Sequence, residues 1–196
     1  VVLTTAAALE QSWEMYIRTL GWPTPLSSEK HFIWVFFDTA LPYTGYTVPL
    51  VTEEWPNGYP VIYLDPEWAA YPNFWNSLIA HEFMHAIQFA IRGVESIDGV
   101  EDTGESENAE PSAEPSEEPS AEPSNESSVS DIDRESWYWE ASAQWASSWV
   151  FPGESAYAEM AMYYNEHPEY PYYSLDDQHQ YGMFLLNAYC DHVVDE

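Results

Sequence analysis

His81, Glu82 and His85 fall within the run "NFWNSLIAHEFMHAIQFAIRG". Residues four apart on a helix share a face and lie about one turn, ~6 Å, apart along the axis. Two imidazoles so placed can share one tetrahedral Zn²⁺. Glu82 is displaced around the helix, so it can reach a water beside the metal without ligating. That is the chemistry of the H-E-x-x-H metalloprotease motif. The competing reading is a buried helix whose histidines hydrogen-bond internally. The surrounding sequence favours the metal, because burying two histidines and a glutamate in an apolar helix is costly without partners.

A third ligand is then required. The sequence after His85 continues "AIQFAIRG", and the next histidine is His167. This excludes the extension in which a glycine and a third histidine follow closely. A glutamate on a following helix is the other common arrangement, and Glu140 in "WYWEASAQW" fits it. It is the lone acid between residues 136 and 153, set among Trp and Ala. Ala141, Ala143 and Ala146 would let this helix approach the histidine helix closely. The alternative is a partly exposed surface glutamate. His81, His85 and Glu140 leave a fourth zinc position for water, with Glu82 as general base.

These residues need elements to hold them. Apolar residues from Phe74 to Ile91 recur on most sides of a helix over 73–92, with Asn73 near its start and Gly93 as its stop. Leu9, Trp13, Tyr16, Ile17 and Leu20 mark an amphipathic helix over 6–20, capped by Gly21. "HFIWVFF" (31–37) reads as a buried strand, and "YTGYTVPL" and "YPVIYLDP" as further strands. Helical patterns return at 136–151, 155–167 and 180–194. Between them, residues 95–131 are rich in Glu, Ser and Pro, with AEPS at 109–112, 113–116 and 121–124. Such a segment lacks the apolar surface to order itself and is expected to be a disordered insert. The expectation is a single α+β domain spanning 1–196, interrupted by that insert.

HEFMH followed by "EASAQ" resembles the gluzincins, the zinc peptidases related to thermolysin. The chain also resembles a loosely characterised set of secreted bacterial metalloproteases carrying "HE-F-x-H-A-x-Q" and "W-Y-x-E-A-x-A-x-W". The resemblance implies a zincin-like fold with a small sheet on the HEFMH helix, Glu140 as ligand and Glu82 as base. Where the gluzincin segment reads Asn-Glu-Ala-x-Ser-Asp, this chain has Trp139 and Gln144. The family aspartate orients a zinc-bound histidine, so Gln144 would do so through an uncharged amide oxygen. The oxyanion donor is implied to come from a His or Tyr beyond the glutamate helix, here His179 or Tyr181. The resulting expectation is a secreted, monomeric zinc endopeptidase acting on peptides or proteins. Two other readings stay open: a glycan-active or glycan-binding protein using its many Trp and Tyr, and a zinc-binding relic without activity.

Charge excludes other classes. The chain has 34 Asp+Glu against 4 Lys+Arg, a formal net charge of −30. Phosphate backbones and anionic membrane surfaces would be repelled. No apolar run approaches the length of a membrane span. His31 reads as a structural histidine and His167 as an exposed one. Cys190, the single cysteine, forms no intrachain disulfide and is not read as a ligand together with His192.

Overall fold

The structure, a computed structural model, describes residues 1–25, 33–53, 58–92, 131–153, 156–175 and 178–194. His31 and residues 95–130 of the acidic insert expected over 95–131 lie outside the described residues, while Asp131, its last residue, already belongs to a helix. The described residues form an α+β fold, mainly helical, with one three-stranded sheet.

Helix α2 (Pro72–Arg92) is the centre of the fold. Trp75, Ile79, Ala80, Phe83, Ala86 and Ile87 are each at most 1% exposed, as a helix apolar on most sides requires. Helix α1 (Val2–Trp13), α3 (Asp131–Val150) and the sheet pack around it. Its N-terminal half packs Trp75, Leu78 and Ile79 on Ile62 and Leu64 of the sheet and Ala8 of α1. Its C-terminal half packs Phe83, Met84 and Ile87 on Tyr16 and on Ala143 and Ala146 of α3. The alanines of α3 are fully buried, and Ala143 and Ala146 share a core cluster with Phe83, Met84 and Ile87 of α2. Tyr16 locks the junction by donating its hydroxyl to the Ala80 carbonyl at 3.3 Å.

The sheet consists of β1 (Trp34–Phe37), β2 (Gly45–Leu50) and β3 (Tyr59–Leu64), in the order β1-β3-β2. β1 runs parallel to β3 and β2 antiparallel to it. The central strand is β3, almost wholly buried. β1 was expected to be buried but is an edge strand, with Trp34 53% and Phe36 45% exposed. An aromatic, β-branched run identifies a strand, but not its position in the sheet. Phe36, Tyr63 and Tyr46 share one register row, and their rings stack across the three strands at 5.4 and 4.8 Å.

Two helices depart from their sequence patterns. The first begins at Val2 and continues beyond Trp13 as a wider π-helical turn over Glu14–Thr19. Gly21 ends it at φ +72°, the left-handed conformation in which glycine is least strained. The final pattern is divided into α5 (His179–Gly182) and α6 (Phe184–Val194). The division falls where α4 (Ala156–Glu166) presses its backbone on Gly182. A β-carbon there would lie 2.7 Å from the Tyr164 nitrogen and 2.9 Å from the Met160 oxygen. Among the described residues, no helix is long and apolar enough to cross a membrane.

Candidate metal centre

His81 and His85 project from one face of α2 toward Glu140 on α3. Their Nε2 atoms are 3.0 Å apart, and their rings are nearly perpendicular at 87°. Glu140 Oε2 lies 3.1 Å from His81 Nε2, and Oε1 lies 3.6 Å from His85 Nε2. One ligand atom from each residue falls within 4.8 Å of the others. A tetrahedral ion with ligands at about 2.0–2.1 Å requires ligand atoms roughly 3.3 Å apart. The spacing of the donor set therefore fits a small, tetrahedrally held cation.

The electrostatics say the same. Two imidazole nitrogens facing each other at 3.0 Å against a carboxylate need a proton or a metal ion between them. Burial acts to lower the pKa of His85, but the charge of Glu140, with Glu82 and Gln88, pushes it up to about 9. Burial would raise Glu140, yet His85 and His81 hold it well below the ordinary carboxylate range.

His85 is oriented by a residue that sequence reasoning left without a role. His85 Nδ1 lies 2.6 Å from Gln88 Oε1. The Gln88 amide nitrogen donates to the Trp139 carbonyl at 3.0 Å and to Ser142 Oγ at 2.9 Å. A backbone carbonyl can only accept, so the amide NH₂ faces α3 and its oxygen faces the histidine. His85 Nδ1 is thereby the protonated nitrogen, and Nε2 is left as the ligand atom. Gln88 is the glutamine of the "HE-F-x-H-A-x-Q" pattern, one turn beyond His85. That position was the available signal.

Glu82 is 3% exposed, beside the triad. Thr47, in the middle of β2, holds it from the sheet. The Thr47 hydroxyl is 2.8 Å from Glu82 Oε2 and 2.9 Å from the Glu82 carbonyl, and shares its proton between them. Burial raises the Glu82 pKa, outweighing the opposite pull of His85, His81 and Thr47. Gly45, two residues before Thr47, lets the strand come this close, since a β-carbon there would meet Leu64 Cδ2 at 3.0 Å and Glu82 Cγ at 3.5 Å.

The triad opens into a cleft of about 1250 Å³. Tyr43 to Thr47 form one side, Trp68, Tyr71 and Phe74 an aromatic side, and α3, α4 and α5 the remaining wall. Tyr181 lines it, with its ring centroid 6.1 Å from that of His81. Burial, then the charges of Glu140 and Glu82, push the Tyr181 pKa well up, so the phenol stays protonated. His179 goes elsewhere. It is fully buried between Tyr164 and Tyr170, with ring centroids 5.4 and 5.8 Å away. Of the two sequence candidates for an oxyanion donor, Tyr181 alone faces the cleft. Gln144 also lines the cleft, 7% exposed, but among the described residues it bonds neither histidine: Gln88 orients His85, and His81 Nδ1 is buried without a hydrogen-bond partner. Cys190 is exposed on α6. His167 pairs with Glu169 at 3.3 Å, outside the cleft.

Fold and site together define an α+β protein with a triad of two buried histidines and a partly exposed glutamate that could hold a metal ion. The chain belongs to the family described as a family of unknown function, DUF6055, whose model matches residues 2–193. No curated protein and no solved structure matches it.

Proposed function

We propose that this chain is a zinc-dependent peptidase of the gluzincin type, a zincin-like fold acting on extracellular peptides or proteins. The observation that carries the reading is the convergence of His81 Nε2, His85 Nε2 and the Glu140 carboxylate, with the Glu82 carboxylate beside them in an open cleft. Zinc held by these three residues would polarise a substrate carbonyl and make a nearby water a stronger acid.

The residues of the chain divide the remaining work. Glu82 takes the proton from the attacking water and later delivers it to the leaving amine. Its raised pKa suits it to both transfers. Tyr181, kept protonated, donates to the oxyanion of the tetrahedral intermediate. β2 is an edge of the sheet and lines the cleft, so its outer backbone groups can pair with an extended peptide. Thr47 joins that strand to the base.

A glycan hydrolase using Glu82 and Glu140 as its carboxylate pair is disfavoured, because both oxygens of Glu140 face histidines. The test is metal analysis of the purified protein together with a peptide-library assay. One zinc per chain, activity abolished by a chelator and activity abolished in Glu82→Gln are expected. A metal-free active protein, or equal cleavage by Glu82→Gln, overturns the reading. Zinc binding with no cleavage of any peptide supports an inactive relic.

A further inference from the structure

The wall of the cleft facing away from the sheet carries polar groups that the hydrolytic chemistry does not use. Gln144, on α3 one turn after Glu140, is 93% buried (7% exposed), yet its carboxamide makes no hydrogen bond among the described residues and borders the cleft. Gln180, on α5 beside Tyr181, also lines the cleft, and its Oε1 is buried without a hydrogen-bond partner. Buried amide groups rarely stay unpaired, because each lost partner costs the desolvation of the group. The Gln180 oxygen is such a group, and the unpaired Gln144 carboxamide on the same wall leaves further hydrogen bonds for a ligand to make. Glu159, exposed on α4, and Tyr163 complete this wall. Gln178, which leads into α5, also lines it and holds a left-handed backbone at φ +62°.

The unmet groups are mainly acceptors. Gln180 offers an oxygen, Gln144 an oxygen and an NH₂, and Glu159 a carboxylate. Apart from the two histidines of the triad, the charged side chains lining the cleft are acids: Asp65, Glu82, Glu140 and Glu159. Carboxylates alone are what a chain with 34 acids and 4 bases places on any surface. The two unpaired amides are what single out this wall.

We propose that this wall is a subsite for a cationic side chain, lysine or arginine, of the peptide in the cleft. Such a group brings several N–H donors and a positive charge, and hydrogen bonds to a charged partner are the stronger kind. An acidic side chain would meet unpaired acceptors and like charge.

This inference rests on the peptide reading of the cleft, and binding can be measured apart from cleavage. The zinc-loaded Glu82→Gln protein is titrated with matched peptides whose central residue is Lys, Arg, Gln, Leu or Glu. Lys and Arg peptides should bind roughly tenfold more tightly than Leu and more tightly still than Glu, with the advantage shrinking as salt rises. Gln144→Leu and Glu159→Gln should each reduce that advantage several-fold while zinc content stays at one per chain. Equal affinity for Lys and Glu peptides, or an advantage untouched by both substitutions, overturns the subsite. If the preference holds but the wild-type protein cleaves none of the peptides, the subsite stands and the peptidase reading falls.

Discussion

His85 Nδ1 and Gln88 Oε1 lie 2.6 Å apart, one helical turn from each other, and the same glutamine reaches across to Trp139 and Ser142. One side chain thus sets the tautomer of a triad histidine and ties the helix carrying two members of the triad to the helix carrying the third. Groups that orient ligands in this way contribute roughly 10–100-fold to metal affinity. Gln88→Met, which keeps the volume but none of the three hydrogen bonds, should weaken zinc binding by that factor with the helical content unchanged. A chelator competition series measures it. Unaltered zinc affinity would show that His85 is held by packing alone.

Thr47 and Glu82 form the corresponding link to the sheet. Thr47→Val retains the β-branched shape and removes the shared hydroxyl proton. Turnover should fall roughly tenfold or more, as expected when a reacting group loses its fixed geometry. KM and zinc content should stay near wild type, and Thr47→Ser should restore the rate. A loss of zinc in Thr47→Val would instead place the residue in the support of the fold.

Proton and metal compete for the same place. His85 is protonated below about 9 in the metal-free protein because of Glu140, and zinc must displace that proton. Zinc affinity should therefore rise by roughly one decade per pH unit up to about pH 9. The stability of the metal-free protein moves the other way. The His85 pKa is raised above its ordinary 6.5, so the stability it contributes is full below 6.5 and is lost as pH rises through about 9. Glu140 is lowered from 4.5, so its contribution is present above 4.5 and is lost as pH falls below that. Chelator-treated protein should melt highest between these limits, near pH ~5–6. Thermal melts with and without zinc from about pH 5 to 9 check both trends. A gap in Tm that does not widen with pH contradicts them.

Gly182 is the point of closest approach between α4 and the segment bearing Tyr181. In Gly182→Ala the new carbon would meet the Tyr164 backbone nitrogen at 2.7 Å, and backbone does not yield easily. A loss of about 1–3 kcal/mol is expected from overpacking, read from denaturant unfolding. Activity should fall with it, because Tyr181 moves with the same turn. The zinc ligands lie on other helices, so zinc content should persist.

The sequence by itself determined the features that local periodicity dictates. A helical repeat puts His81 and His85 on one face, and an apolar helix makes their burial, with Glu82, a demand for partners. Glu140 stood out because its neighbours are Trp and Ala and because alanines permit close packing. None of these features depends on what lies across a gap. Tertiary structure decided everything that joins distant segments. Thr47 reaches Glu82 across 35 positions and Gln88 reaches Ser142 across 54, and no spacing rule connects such pairs. It also separated Tyr181, which faces the cleft, from His179, which is buried two residues before it. That choice depends on a turn that begins with a left-handed glutamine and ends at a glycine pressed against α4. Periodicity gives the face on which a side chain lies. Only the packing of one element on another gives what that face meets.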